Sequence, residues 1–268
     1  MPSILTYTFF QHALAGGLLA SLLCAMVGTY VVTRRMVIAG GGMAHASLGG
    51  VGMGAYFGFP PLAGAAVFAL CSGLAIDLLS RRAAVRGDSA VAMLWTLGMS
   101  VGILFAYLTP GFMTDLPAYL FGDILSVTAA DLWTIGALTA VCALFFATCL
   151  PAIVTVAYDR DFAATRGLPV RAVELAMTAL TALTIVSCLH MVGIVLVVSL
   201  LSVPQLTAGL FARTFGAMVC GSAIAGYASC VAGLFLSYWL DVPGGASIIL
   251  VSIALYFLCR AIKRLARR

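Results

Sequence analysis

Long apolar runs recur along the whole chain and restrict what it can fold into. Each run has about 20 residues with almost no charge, the length that an α-helix needs to cross about 30 Å of hydrocarbon. Hydrophobic residues make up 63% of the 268 residues and charged residues only 9%, whereas a water-soluble globule needs a more charged exterior. The alternating polarity of transmembrane β-strands is absent. The sequence therefore predicts an all-α, polytopic transmembrane helical bundle that forms a single domain over residues 1–268.

The apolar runs divide into nine candidate membrane spans. The division within 173–211 is the weakest, because only Gly193 and His190 indicate a turn there, and eight spans are the alternative. The predicted spans are 9–33, 37–57, 61–80, 89–109, 131–154, 173–189, 192–211, 217–240 and 245–260.

The distribution of basic residues favours nine spans. If the N-terminus lies outside, all 14 lysines and arginines fall on the inner side, as the positive-inside rule requires. We therefore expect a bacterial-type cytoplasmic (inner) membrane protein with its C-terminus in the cytoplasm. The net charge of +5 follows from this bias and from contact with anionic lipid, and nothing in the sequence indicates nucleic-acid binding.

Two absences narrow the function. The chain has one lysine, Lys263, and no glycine-rich loop leading into Gly-Lys-Ser/Thr, so it lacks a phosphate-binding P-loop. If ATP drives this protein, another chain hydrolyses it. The eight cysteines are scattered without a Cys-x-x-Cys pair, which favours buried small hydrophobes over disulfides or a metal cluster.

The densest internal run of charges is DRDFAATRGLPVRAVE, residues 159–174, on the predicted inner side. Asp159 or Asp161 can cap a short helix, Gly167 can end it, and the proline that follows blocks its continuation. Phe162 would then project from a charged helical turn. This segment is either a solvated loop or a docking element for a cytoplasmic partner, with an aromatic anchor and a charged rim.

Four carboxylates lie on the predicted outer side, at Asp115, Asp123, Asp131 and Asp241. An acidic mouth formed by them would attract cations, although four unrelated solvated carboxylates are an equally good interpretation. The segment 115–126 is too short to span the membrane and too apolar for a free loop. We expect it to be re-entrant or interfacial.

The second predicted span contains IAGGGMAHASLGGVGMG, residues 38–54, with His45 near the middle of the bilayer. An ionisable side chain at this depth usually faces a cavity or the bundle interior. Small residues four apart form a stripe that lets one neighbouring helix approach closely; they are Gly42, Ala46, Gly50 and Gly54. The adjacent stripe leaves space beside the imidazole for an ion, for water or for a second helix; it consists of Gly41, His45, Gly49 and Gly52.

Three stretches together carry a family resemblance. They are GGMAHASLGGVGMG at 41–54, AYLFGDILSV at 118–127, and the run from 158 to 213 that contains YDRDFAATRGLPVRAVEL and VGIVLVVSLLSVPQLTAGLFAR. They resemble the permease subunits of the metal-chelate ABC importers, the manganese, zinc and iron class. The resemblance extends over most of the chain in the same order.

The resemblance implies a type II ABC importer-like permease that pairs with a second copy or a paralogue. It also implies a cytoplasmic ATPase that binds ATP, an extracytoplasmic metal-binding protein, and zinc, manganese or iron as the transported ion. The segment at about 159–168, including Arg166, would couple the permease to the ATPase. Many members carry an aspartate one helical turn before the histidine, and here that position is Gly41.

We expect five residues to line a translocation path, and we expect no catalytic residue. Pro204 should kink its span and free a carbonyl toward this path. Importers of a larger chelate, of the cobalamin or siderophore type, and stand-alone secondary transporters or channels are the alternatives. An intramembrane enzyme is disfavoured, because His45 and Ser47, the candidate base and nucleophile, have no acidic residue nearby. Being two residues apart, they also do not share a helix face. The path candidates are Met43, His45, Ser47, Ser199 and Gln205.

Overall fold

The computed structural model describes residues 7–82, 85–110, 122 and 124–266, and this part of the chain is helical throughout. Its α-helices are α1 (Thr8–Thr33), α2 (Val37–Phe57), α3 (Pro61–Arg82), α4 (Gly87–Leu108), α5 (Ala129–Tyr158), α6 (Arg160–Thr165), α7 (Val170–Leu200), α8 (Val203–Gly209), α9 (Phe215–Leu240) and α10 (Gly244–Leu265), and a 3₁₀ turn lies at Ile124–Ser126.

Seven stretches of the described chain are long and apolar enough to cross a membrane: α1, α3, α4, α5, the run of α7 and α8, α9 and α10. The 21 residues of α2 are long enough to span, but its glycines and histidine lower its mean hydropathy. Most of α2 is buried among the other helices. The prediction of an all-α polytopic membrane protein is confirmed.

The chain reverses direction inside α7, at Gly193. This residue has φ 73° and ψ 165°, a conformation that is essentially restricted to glycine. Before it, Glu174 is paired with Arg34 at the C-terminal end of α1, and Met191 packs against the N-terminal half of α1. After it, the carbonyl of Leu201 again lies against the C-terminal half of α1. The segment after Gly193 therefore runs back alongside α1.

The helix in the predicted span at 192–211 is interrupted at Ser202, where φ is −131° and ψ −54°, two residues before the kink expected at Pro204. Pro204 does not kink a continuous helix but lies in the first turn of α8. Proline has no N–H and cannot donate to the carbonyl four residues earlier, at Leu200. The side chain of Gln205 donates to that carbonyl instead, at 3.0 Å.

The eight cysteines are all free thiols. Burial, which we expected for all of them, holds for four and fails at Cys71 and Cys220, which are exposed. These two lie on α3 and α9, whose surfaces are largely unburied, as expected for helices that face lipid. The buried four are Cys24, Cys142, Cys188 and Cys230.

Candidate functional site

The central feature of the site is the close packing of α2 against α3 and α4. A Cβ on Gly42 would lie 2.5 Å from Val91 of α4. A Cβ on Gly50 would lie 2.6 Å from the backbone nitrogen of Ala65 in α3. Gly54 meets the backbone at Pro61 in the same way, at 2.8 Å. These contacts allow helix backbones to touch, as small-residue stripes do in membranes.

The stripe serves two helices, whereas we expected one. Gly42 and Ala46 face α4, where Gly98 would collide with the Ala46 backbone if it had a Cβ, while Gly50 and Gly54 face the start of α3. An α-helix turns 100° per residue, so positions four apart drift by about 40° per step and by about 120° over the whole stripe. The stripe therefore winds from one neighbour to the other.

Neighbouring helices fill the space beside His45 on one side. Toward the C-terminus, Gly49 lies against Phe68 and the Gly98 carbonyl, and Gly52 lies against the backbone of α4, so a second helix, one of the three expected occupants, takes that space. Toward the N-terminus, a Cβ on Gly41 would meet only Val198, at 4.0 Å. Space beside the imidazole is therefore restricted to the Gly41 side.

His45 is held by an aromatic partner that the sequence did not indicate. Its imidazole stacks on the indole of Trp95 in α4, with 4.2 Å between centroids and 9° between planes. Trp95 is itself held by a bond from its indole N–H to the sulfur of Met99, at 3.0 Å. The buried Nδ1 of His45 has no hydrogen-bond partner among the described residues. The ring is thus fixed in orientation while one nitrogen keeps its capacity to bind.

The two other path candidates on α2 make packing or local contacts. Met43 is 2% exposed, and its sulfur would lie 2.6 Å from a Cβ on Gly73 of α3. The hydroxyl of Ser47 donates to the Ala44 carbonyl within its own helix, at 2.6 Å. Met43 therefore fills the α2–α3 contact, and the hydroxyl of Ser47 is satisfied by its own backbone.

The path candidates at the end of α7 and in α8 carry unpaired buried atoms. Within the described residues, the hydroxyl of Ser199 and the Oε1 of Gln205 have no hydrogen-bond partner. The amide nitrogen of Gln205 also donates to the Cys24 carbonyl of α1, at 2.8 Å. Gln205 thus ties α8 to α1. Thr184, which the sequence did not indicate, likewise has a buried hydroxyl without a partner in the described part of the chain.

No resident metal centre is evident: in the described ranges, no group of three or more His, Cys, Asp and Glu side chains could hold a metal ion. A stable zinc site usually needs four ligands, and manganese prefers more oxygen ligands than α2 offers. His45 alone can therefore provide only a weak, transient contact for a cation.

The proposed acidic mouth lies partly outside the described residues, which do not include Asp115 and Asp123. Asp131 forms a capping box with Thr128 at the start of α5 and lies 3.9 Å from Nδ1 of His190. Asp241 ends α9 in a left-handed conformation, with φ 53°. Asp131 and Asp241 therefore both have local structural roles at helix ends.

The charged run folds as expected into a short helix, α6. The Asp159 carboxylate accepts a hydrogen bond from the Phe162 backbone N–H at 2.9 Å, and Gly167 follows the helix with φ 71°. Phe162 is 48% exposed, with the Arg166 guanidinium 5.1 Å from its ring centroid. Asp161 lies in the first turn, where its negative charge interacts favourably with the positive end of the helix dipole. The result is an exposed aromatic side chain with charges around it.

An ion-pair junction around the buried Glu174 joins α6 to the membrane helices, and nothing in the sequence pattern indicated it. The Glu174 carboxylate, on a residue that is 8% exposed, accepts from Arg34 at 2.8 Å and pairs with Arg160 at 3.2 Å. Arg34 also donates to the Val156 carbonyl of α5 at 3.3 Å. The ends of α1, α5, α6 and α7 therefore meet at one carboxylate.

Comparison with known proteins agrees with this architecture. The sequence pattern described as the ABC 3 transport family matches residues 6–263. The chain is 38% identical to an uncharacterized membrane protein of Synechocystis over 98% of this chain and 94% of that one. It is 33% identical to the manganese transport system membrane protein MntC of Halalkalibacterium halodurans, over 95% of this chain and 87% of the relative.

The fold is also similar to a solved structure, PsaBC from Streptococcus pneumoniae in complex with Fab. The TM-score is 0.86 and the identity 27%, over 95% of this chain and 91% of that chain. This likeness supports the type II ABC importer fold. Together with the family match over nearly the whole sequence and the absence of a P-loop, it shows that the chain belongs to the ABC 3 transport family, as a membrane-spanning permease subunit.

Proposed function

We propose that this permease carries a divalent transition metal ion into the cell, with manganese the first candidate and zinc and iron as alternatives. The observation that carries the proposal is His45, fixed against Trp95 near the middle of α2 with an unpartnered Nδ1. The name of MntC, a relative at 33% identity, supports manganese. A separate cytoplasmic ATPase would bind ATP, and an extracytoplasmic metal-binding protein would deliver the ion.

The transport step depends on weak binding. One imidazole without a neighbouring carboxylate holds a metal ion poorly, and a transporter must release what it binds. A second permease copy or a paralogue, placed across a shared path, would supply a second imidazole from its own helix. Ser199 and Gln205 would add polar oxygens along the path, since each has an unpaired buried atom. In this mechanism Met43 and Ser47 support the position of α2.

We infer that α6 is the element that contacts the ATPase. Phe162 would insert into a pocket of the partner, with Asp161 and Arg166 at the rim. Movement of α6 would reach the membrane helices through Arg160 and Glu174, which lie 3.2 Å apart. The ion-pair junction therefore connects hydrolysis to rearrangement of α1 and α7.

The proposed topology is one transmembrane domain with nine spans in the cytoplasmic membrane, with the N-terminus outside. Three features support it. The helix α2 packs inside the bundle at spanning length, and the chain reverses at Gly193. Arg34, Arg160 and Glu174 meet at one end of the bundle, as expected if the connections after α1 and α5 lie on the same side. The basic residues near the C-terminus then face the cytoplasm.

The test is ATP hydrolysis by the permease reconstituted in vesicles with its ATPase. Adding the manganese-loaded binding protein should raise hydrolysis, and Phe162→Ala should abolish the rise by releasing the ATPase. Leu144→Ala, an exposed apolar change on α5, is the matched control and should behave as wild type. Hydrolysis that never responds to the loaded binding protein, or manganese uptake without ATP, would contradict the proposal.

A further inference from the structure

A groove with three cationic side chains lies between the end of α8 and the last turns of α10. Its volume is about 680 Å³, and its lining residues are Leu210, Tyr256, Arg260, Lys263 and Arg264. The lining contains no carboxylate among the described residues. The last 27 residues of the sequence contain no aspartate or glutamate at all. The groove therefore has a concentrated positive charge with no internal counter-charge.

Local contacts hold two of these cations in place. Arg260 donates to the hydroxyl of Tyr256, one turn earlier, at 3.2 Å. Lys263 donates to the Leu210 carbonyl and lies 5.8 Å from the ring centroid of Phe211. Long basic side chains normally lose considerable rotamer entropy when they bind a ligand, and these contacts reduce that loss. The groove is thus partly organised before any ligand arrives.

The surroundings of the groove indicate the kind of ligand. Large apolar side chains of the same helix turns are exposed beside the cations: Phe257, Leu258, Ile262 and Leu265, at 60%, 58%, 52% and 69%. Side chains of this kind belong in hydrocarbon, whereas the cations belong among headgroups. The groove therefore lies at the boundary between the two, where a phosphate can enter it while acyl chains cover the apolar residues.

We propose that this C-terminal basic groove binds the phosphate headgroup of an anionic phospholipid. Basic pockets between transmembrane helices on the cytoplasmic side bind such headgroups, and a volume of 680 Å³ lies within the range of small-molecule sites, about 300–1,000 Å³. The bound lipid would fix the end of α8 against α10. The inference does not depend on which ion the permease carries.

The test compares phosphatidylglycerol binding by two double variants of the full permease, measured by native mass spectrometry from neutral detergent. Arg260→Gln with Arg264→Gln removes two groove charges. Arg86→Gln with Arg171→Gln removes two exposed charges, just before α4 and in the first turn of α7, and is the matched control. We expect the groove variant to bind about thirtyfold more weakly, which corresponds to about 1 kcal/mol per cation, and the control to bind as wild type.

Three results would overturn the proposal. Equal weakening in both double variants would mean that only total charge matters. Displacement of phosphatidylglycerol by equimolar inorganic phosphate would assign the groove to a free anion. Loss of lipid binding when the ATPase is added would assign it to that partner. Should the double variant fail to fold, Arg264→Gln alone, at an exposed position, gives the same comparison with Arg171→Gln.

Discussion

Two alanine substitutions on α2 should change stability in opposite directions. At Gly41 a Cβ has room, with Val198 at 4.0 Å, so Gly41→Ala should gain up to about 1 kcal/mol from helix propensity. At Gly50 the added Cβ would lie 2.6 Å from the Ala65 nitrogen, against an ordinary contact of at least 3.4 Å. To accommodate it, α3 must move away by more than about 0.8 Å, the difference between those distances, because the carbonyl group of Gly64 would lie closer still.

That displacement loosens the whole α2–α3 contact, because neither backbone can yield locally. Overpacking of this kind costs about 1–3 kcal/mol, and the lost van der Waals contacts add to the cost. The helix-propensity gain is common to both variants and cancels in their comparison. We therefore expect Gly50→Ala to be about 2–3 kcal/mol less stable than Gly41→Ala, because only Gly50→Ala carries the steric cost. The assay is the free energy of unfolding of the purified permease in mixed micelles. Equal stability of the two variants would refute the close-packing argument.

Three further predictions concern other contacts. Gln205→Leu should lose about 1–3 kcal/mol, because the Leu200 carbonyl is left without a donor; thermal unfolding measures this, and unchanged stability would contradict that role. Glu174→Gln should lower the amount of manganese transported per ATP hydrolysed, and an unchanged ratio would contradict the coupling role. It should also lower the free energy of unfolding by about 1–2 kcal/mol, less than for a fully buried ion pair because the paired Arg160 is exposed. Gly193→Ala should cost about 1–3 kcal/mol through backbone strain, and a wild-type melting temperature would contradict the reversal at that residue.

Features set by local sequence were predictable. Apolar runs of spanning length gave most helix positions, because the requirement to satisfy backbone groups in lipid forces such runs to be helical. The short helix α6 was predictable in detail, since Asp159 and Gly167 act on their immediate neighbours. The family resemblance likewise rested on short residue motifs, each within a single segment of the chain.

Features set by packing between distant segments were not predictable. His45 and Trp95 are 50 residues apart in the sequence, and nothing local to either residue indicates that they stack. Glu174 and Arg34 are separated by 140 residues. The winding of the α2 stripe from α4 to α3 follows from helix geometry but needs the positions of both neighbours. Sequence patterns predicted which faces would pack, and tertiary structure determined what they pack against.

The most direct test of the central claim is manganese uptake into vesicles that contain the permease, its ATPase and the loaded binding protein. Wild type should accumulate radiolabelled manganese only with ATP, and His45→Ala should lose most of that uptake while its melting temperature stays near wild type. Ser47→Ala, which removes a hydroxyl bonded only to its own helix, is the control and should transport normally. Uptake by His45→Ala at the wild-type rate would contradict the account.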